Sequence, residues 1–385
     1  MADLPIDELD GQTPLQAART PNWDKLAEDG LVGTVLTVPE GMYPGSDVAN
    51  MTLLGYDPSR YSTGRGPIEA VAMGISMDPH DVAFRCSLVT TDGTTMLDHS
   101  SGHISTEESA QLIQTLNKRL SNAQTTFYPG VSYRHIMVKR DASANVQTTP
   151  PHDFTSKPID GHWPEGDGAE KLKQMMLDSH EILESHEVNH QRREEGKAPA
   201  NMMWLWGQGY APNIPSFMNT FGRQGSIITA VDVVRGLGRA TGLEIVNVPG
   251  ATGYIDTNYV GKAQYALKSL EKHDFVYIHI ESPDESGHEG NLEHKLRSIE
   301  DIDRHVIGTL VSGMANQGEY RLLIAPDHKT PIKLRAHESG PVPFLLYDSS
   351  KPNRASRVPF DERALTEAKT HIDDGTRLIR ILFQL

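Results

Sequence analysis

"GKAQYALKSLEKHDFVYIHIESPDESGHEG", residues 261–290, decides the architecture. Small, apolar and charged residues alternate at helical spacing as far as Lys272, and "FVYIHIE" then runs apolar or aromatic with His279 as its one interior break. The first part predicts a helix and the second a short strand buried on both faces. The strand runs out at Glu281, and Pro283 and Gly287 interrupt the next stretch. Asp284 and His288 are four apart, so one helical turn or a tight loop places both on one side. A carboxylate and a neutral imidazole so placed suit Zn²⁺ or Mn²⁺.

The same alternation continues outward. "NLEHKLRSIEDIDRHVIGTLVSGMANQG" (291–318) predicts a long amphipathic helix, "YRLLIAPD" (320–327) and "PVPFLLYD" (341–348) predict strands, and "DGTRLIRILFQL" ends the sequence. Near the start, "PLQAARTPNWDKLAEDG" contains a helix closed by Gly30, and "LVGTVLTVP" is β-rich. Strand–helix alternation with near-continuous apolar strands predicts an α/β fold with a mostly parallel sheet. The middle differs, with short β-rich runs, the Pro-containing "TTPPHDFTSKPIDGHWPEG" and one long helix from about Glu170 to Glu195. A further small α/β unit is read in "GSIITAVDVVRGLGRATGLEIV" (225–246). The expected division is a discontinuous core of residues 1–81 and 250–385, with 82–249 inserted as a lid or substrate domain.

Bulk properties narrow the class. The 385 residues carry a formal net charge of −15, which argues against a duplex nucleic-acid binder. With 37% hydrophobic residues and no apolar run near eighteen, no membrane helix is expected, and no secretory leader is read at the N-terminus. The single cysteine, Cys86 in "VAFRCSLV", reads as a small core residue of a strand in a reducing cytoplasm.

A second acidic and imidazole pair, Asp327 and His328, ends the strand "LLIAPD", and His337 precedes the next strand. Strand neighbours point to opposite faces, so both members of the pair can ligate only where the chain leaves the strand, as Lys329, Thr330 and Pro331 suggest. Two strand ends thus deliver an Asp/His pair each, at the sheet edge where open α/β sheets bind ligands. Five such ligands exceed one tetrahedral site, and a two-metal site is expected. Ser46, in "MYPGSDVANMTLLGYDP" (42–58), sits at another turn into a helix. Serine is a common helix N-cap, but beside those ligands Ser46 is the expected nucleophile.

Together, "PGSDVANMTLLGYDPSRYSTGRGPIEA", "SSGHIS", "FYPGVSYRH", "NVPGATGYIDTNYVGKA", "PDESGHEG" and "APDHKTP…HESGPVPF" resemble the archaeal-type, cofactor-independent phosphoglycerate mutases of the alkaline phosphatase superfamily. The resemblance implies an alkaline-phosphatase-like core with an inserted α/β lid. It implies interconversion of 3-phosphoglycerate and 2-phosphoglycerate through phosphoserine at Ser46, without 2,3-bisphosphoglycerate. Asp284, His288 and His337 would hold one divalent cation, and Asp327 and His328 the other beside Ser46. Mn²⁺ is the foremost expectation, with Zn²⁺, Co²⁺ and Mg²⁺ as alternatives. His103 would contact substrate, Arg65, Arg134 and Arg193 would clamp phosphate or carboxylate, and Lys262 would be a substrate contact or a helix-surface lysine. The implied partner is a small phosphorylated acid, with no nucleic acid or membrane. Two departures accompany the resemblance. The family's opening strand, which ends Gly-Asp-Gly before Met-Ala-Asp, is not read before "MADLP", and Asp3 does not match its aspartate by position. Lys329 stands where relatives often carry a small polar residue, and it weakens cation binding unless it points away. The alternatives are a phosphohydrolase or phosphotransferase of the same superfamily, or an inactive member. A homoserine kinase is disfavoured because no Gly-rich nucleotide loop of the G-x-x-x-x-G-K-[ST] type is present.

Overall fold

Pro21 at its first turn and Gly30 just past its end bound the first main helix, α1 (Pro21–Asp29), which buries Trp23, Leu26 and Ala27. The structure is a computed structural model that describes residues 1–315, 317–351 and 358–384. After α1 come β1 (Leu31–Val35), α2 (Ser46–Leu53), α3 (Arg65–Ala72), β2 (Val82–Thr91), β3 (Met96–Asp98), α4 (Thr106–Leu120), β4 (Thr125–Val131) and β5 (Arg134–Lys139). The chain continues through α5 (Ala169–Glu184), α6 (Glu187–Glu194), β6 (Met202–Tyr210), β7 (Gly225–Ile228), α7 (Asp232–Ala240), β8 (Glu244–Ile245), α8 (Tyr259–Leu270) and β9 (Phe275–Ile278). It closes with α9 (Ser282–Glu289), α10 (Leu292–Asp301), α11 (Gly308–Met314), β10 (Arg321–Ile324), β11 (Val342–Asp348), β12 (His371–Ile372) and α12 (Arg377–Phe383). Among the described residues no helix is long and apolar enough to cross a membrane.

These elements form two compact units, Met1–Ser62 with Ile214–Leu385, and Thr63–Asn213. The second unit is therefore shorter at its end than the expected insertion of 82–249, and it begins earlier. The segment 225–246 belongs to the first unit, because β7 and β8 are parallel partners and β7 also pairs in parallel with β9. Its own helix and strand pattern could not reveal that pairing, which spans some fifty residues of chain.

In the first unit, β8-β7-β9 is a parallel ladder. The other sheet, ordered β10-β11-β1-β12, is mixed: β11 runs antiparallel to both neighbours, and only β1 and β12 are parallel. The expected mostly parallel sheet thus holds for three strands and not for these four. Strands covered on both faces are apolar whichever way they run, so the pattern carried burial and not direction. Gly33 in β1 is required by packing, since a Cβ there would lie 2.6 Å from the Phe344 ring. The predicted helix over 291–318 is interrupted by a π-helical stretch, Ile302–Ile307, between α10 and α11. Asp303 in that stretch accepts from the Trp23 and Asn22 backbone N–H groups at 2.8 and 3.2 Å, so the bulge supplies the first turn of α1 with an acceptor.

The second unit is built on an antiparallel sheet in which β2 pairs with β3, β5 and β6, and β5 pairs with β4. All ten residues of β2 are buried, Cys86 among them as expected. Phe84, Leu88, Phe127 and Trp204 share one core with Leu112 and Leu116 of α4 and Met176 and Leu183 of α5. The single helix expected from Glu170 to Glu195 is two, because His186 turns its side chain to accept from the Val188 N–H and starts α6 afresh.

His135 in β5 makes this unit sensitive to acid. Its Nδ1 accepts from the Gly130 N–H at 2.9 Å, so the proton sits on Nε2, which is buried and has no hydrogen-bond partner among the described residues. Burial, with Arg85 and Arg134 nearby, pushes the imidazole down to about 3 from an ordinary 6.5. Between those values the unfolded chain binds a proton that the folded chain does not, so stability falls as pH drops below 6.5. Urea melts of the wild-type chain are expected to lose stability from pH 7 to pH 5, and His135→Gln to flatten that loss.

Candidate metal and phosphoryl-transfer site

Ser46 is the first residue of α2, and the cap position belongs to Gly45, which makes no side-chain cap. The Ser46 hydroxyl is therefore not used as a helix cap. It lies 3.0 Å from His328 Nε2 instead. Pro44 and Gly45 bring the chain into the helix, and Val48, Ala49, Met51 and Leu53 are buried along it.

Asp284 and His288 lie on α9, a helix with Pro283 near its start and Gly290 in the left-handed conformation (φ 69°) at its end. The expected i,i+4 placement is realised, with His288 Nε2 3.3 Å from Asp284 Oδ2. His337 Nε2 is 3.4 Å from Asp284 Oδ1 and 2.9 Å from His288 Nε2. One ligand atom from each of the three lies within 4.8 Å of the others, a donor set that suits a divalent cation. His288 Nδ1 is 3.1 Å from the Arg335 carbonyl; donating there leaves Nε2 as the nitrogen that faces the cluster, protonated against Asp284 without a cation and able to ligate one once it gives up that proton. Gly287 lets α9 approach the loop after β10, because a Cβ there would meet the Thr330 carbonyl at 2.4 Å.

That loop carries Asp327, His328 and Thr330. Thr330 Oγ1 donates to Asp284 Oδ1 and lies 3.3 Å from His328 Nδ1, which fixes a direction through the site. The threonine gives its proton to the carboxylate and accepts from His328 Nδ1, so His328 Nε2 is left to accept from Ser46. Asp327 Oδ2 is 3.4 Å from His328 Nε2, and its Oδ1 accepts from the His328 backbone N–H at 2.9 Å. The six residues expected to converge do so within the first unit.

The charges are mutually dependent. Burial raises the Asp284 carboxyl, but hydrogen bonds from His288 and His337 and the nearby His328 outweigh it and hold it well below the usual range. The Asp284 contact conversely raises His288 to about 8. Burial of Asp327 is likewise outweighed by His328 and His279, and it too lies below its ordinary value.

The remaining expected residues fall into two groups. Lys262 is fully buried and donates to the His279 carbonyl at 3.2 Å, so it is no helix-surface lysine, and burial lowers it to about 8. Lys329 lies 3.8 Å from Glu338 and beside Gly340, which accounts for its charge without directing it at the cation ligands. Asp3 is buried against Lys295 at 2.6 Å, and that lysine also donates to the Thr330 carbonyl at 2.7 Å, bracing the site loop from beneath.

In the second unit, His103 ends a run of three left-handed residues, Ser101, Gly102 and His103 (φ 52°, 62° and 51°), a conformation costly for two of them. Asp98 accepts from the Ser100 and Gly102 N–H groups and Arg192 donates to the Ser101 carbonyl, so the strained turn is held from both sides. His103 itself is exposed, with its ring 6.2 Å from Tyr133. Arg65 and Arg85 share Glu69, and both lie over Trp206. Arg134 is half-buried with its Nε unpartnered among the described residues. Among the described residues Arg193 donates to the Glu184 carbonyl at 2.9 Å and to its Oε1 at 2.5 Å, which ties α6 to the end of α5. Beside the site but not expected from the sequence are His279, 4.0 Å from Asp327, and Asn50, which donates to Asp327 at 3.0 Å and accepts from the Tyr277 hydroxyl at 2.7 Å; the i,i+4 spacing of Asn50 from Ser46 was the one signal available.

The model of the 2,3-bisphosphoglycerate-independent phosphoglycerate mutase family matches residues 27–189. A Geobacter sulfurreducens protein described as a probable 2,3-bisphosphoglycerate-independent phosphoglycerate mutase is 48% identical over 99% of this chain and 97% of its own length. The Methanosarcina mazei mutase of that name is 45% identical over 100% and 97%. Among solved structures, the PH0037 protein of Pyrococcus horikoshii aligns with a TM-score of 0.85 at 30% identity, covering 100% of this chain and 94% of that one. The cofactor-independent phosphoglycerate mutase of Thermoplasma acidophilum aligns with a TM-score of 0.65 at 27% identity, covering 100% and 96%. With a serine hydroxyl set against a half-buried cluster of metal-type ligands, and with likeness of this extent along its length, the chain belongs to the 2,3-bisphosphoglycerate-independent phosphoglycerate mutases.

Proposed function

We propose that the chain interconverts 3-phosphoglycerate and 2-phosphoglycerate, with Ser46 accepting the phosphoryl group and returning it. The observation that carries this reading is the Ser46 hydroxyl 3.0 Å from His328 Nε2, in the same cluster as Asp284, His288 and His337. Asp284, His288 and His337 would hold one divalent cation, and Asp327, His328 and Ser46 a second, Mn²⁺ being the foremost candidate. Such cations would stabilise charge on the transferring group and favour the serine alkoxide.

The chain's own residues do the rest. Ser46 gives up its hydroxyl proton and its Oγ forms a bond to phosphorus as the substrate's C–O–P link breaks at the phosphorus; the freed glycerate oxygen takes up one proton, so that none is gained or lost overall. The glycerate turns, its other hydroxyl attacks the phosphoserine, and Ser46 is restored. The Thr330 hydroxyl, by accepting from His328 Nδ1, keeps His328 Nε2 facing the serine. His103, Arg65 and Arg134 of the second unit are proposed to hold the acid's anionic ends, since guanidinium binds carboxylate and phosphate in a bidentate fork. That unit is proposed as the lid that keeps water from the phosphoserine. Arg193, committed to Glu184, is left out of this set.

The experiment follows both products from 3-phosphoglycerate with Mn²⁺ and no 2,3-bisphosphoglycerate. Expected is 2-phosphoglycerate with phosphate release slower by roughly 100-fold or more. Free phosphate without 2-phosphoglycerate would make the chain a phosphohydrolase.

A further inference from the structure

Asn50 lies one helical turn beyond Ser46 on the same face of α2, is fully buried, and touches three groups that matter. Its Nδ2 donates to the Ser46 carbonyl at 2.8 Å and to Asp327 Oδ2 at 3.0 Å. Its Oδ1 accepts from the Tyr277 hydroxyl of β9 at 2.7 Å. The partners fix the amide's orientation: turned over, its oxygen would face a carbonyl and a carboxylate, neither of which can donate. The other oxygen of Asp327 already accepts from the His328 N–H. The carboxylate is therefore held on both sides, once from its own loop and once from the helix that presents Ser46.

We propose that Asn50 is a positioning residue, whose single amide fixes the Asp327 carboxylate relative to Ser46 and is itself oriented by the Tyr277 hydroxyl. This rests on the proposed roles of Ser46 as nucleophile and Asp327 as cation ligand, and extends them to two residues that act through Asp327. Burial keeps the Tyr277 phenol protonated far above neutral pH, so it remains a donor throughout the working range. A buried amide with only structural duties would lower stability when removed and leave the site's two halves equally affected. A positioning amide changes one half of the site.

The test uses Asn50→Leu, which keeps the volume and removes every donor, and Tyr277→Phe, which leaves Asn50 in place but frees its orientation. Mn²⁺ alone is titrated into each full chain by calorimetry without substrate, and kcat and KM for 3-phosphoglycerate are measured separately. Expected for Asn50→Leu is one of two Mn²⁺ equivalents bound about 10–100-fold more weakly and kcat lowered to a similar degree, with KM within about threefold. Tyr277→Phe is expected to show the same pattern at about three- to tenfold. Equal weakening of both equivalents, or unchanged Mn²⁺ affinity and kcat in Tyr277→Phe, would overturn the proposal, and the second variant decides if the first does not fold. Because Mn²⁺ binding is read without substrate, failure of Ser46 as nucleophile appears separately, in Ser46→Ala.

Discussion

Ser46→Ala is expected to abolish interconversion, lowering kcat by on the order of 10⁴-fold or more while the chain stays folded. The two halves of that expectation have separate grounds. Activity goes because the hydroxyl is the atom that would take the phosphoryl group, and among the described residues of α2 and the loop after β10 no other hydroxyl is hydrogen-bonded to His328 Nε2. The fold stays because the hydroxyl is not a cap: α2 starts at Ser46 with Gly45 before it, and the turn is anchored by buried apolar residues and by Asn50. Only the contact to His328 is lost, about 0.5–1.5 kcal/mol for an ordinary hydrogen bond. Acid-quenched wild-type enzyme should yield a peptide phosphorylated at Ser46, and the variant none. Near-wild-type turnover in Ser46→Ala, with a melting temperature unchanged, would remove the phosphoserine from the mechanism.

The cluster was legible where local pattern and chemistry coincide. Asp284 and His288 stand four apart after an apolar strand, and Asp327 and His328 end another, so spacing and strand ends alone predicted a shared edge. What escaped depends on contacts between distant segments. Asn50 and Asp327 are 277 positions apart, and nothing about "VANMT" tells a buried amide hub from an ordinary helical asparagine. Lys262 read as a substrate contact or a helix-surface lysine, the second because helical lysines are generally exposed; the His279 carbonyl that receives it lies just past β9. The direction of β11 and the membership of β7 and β8 were hidden for a related reason. A strand buried on both faces has the same composition whichever neighbour it finds. The division at 62/63 and 213/214 was hidden too, since α3 precedes β2 in sequence but packs with that sheet, its Gly66 admitting the Ala83 carbonyl to within 2.8 Å of where a Cβ would be.

Asp284→Asn should be the most damaging change among the ligands, because this carboxylate is shared. It lies 3.3 Å from His288, 3.4 Å from His337 and 3.9 Å from His328, and it accepts from Thr330. The amide keeps the shape and removes the charge, leaving the His288 and His337 imidazoles converging without their shared counter-charge, while His328 keeps Asp327. One cation equivalent is expected to bind at least about 100-fold more weakly, and interconversion to fall by on the order of 10³-fold or more. A chelator should abolish wild-type activity, and added Mn²⁺ should restore it. The metal-free chain offers a reading independent of activity. The Asp284 contact raises His288 to about 8 from 6.5, so the pair stabilises the fold fully below 6.5, while the aspartate is ionised, and that share is lost as pH rises through about 8. The stability difference between wild type and Asp284→Asn in chelator should accordingly be larger at pH 6 than at pH 9, with the His288 ring titrating lower in the variant by NMR. A difference that does not change with pH would mean that the carboxylate and the imidazole are not paired, and the metal-binding half of the site would lose its physical basis.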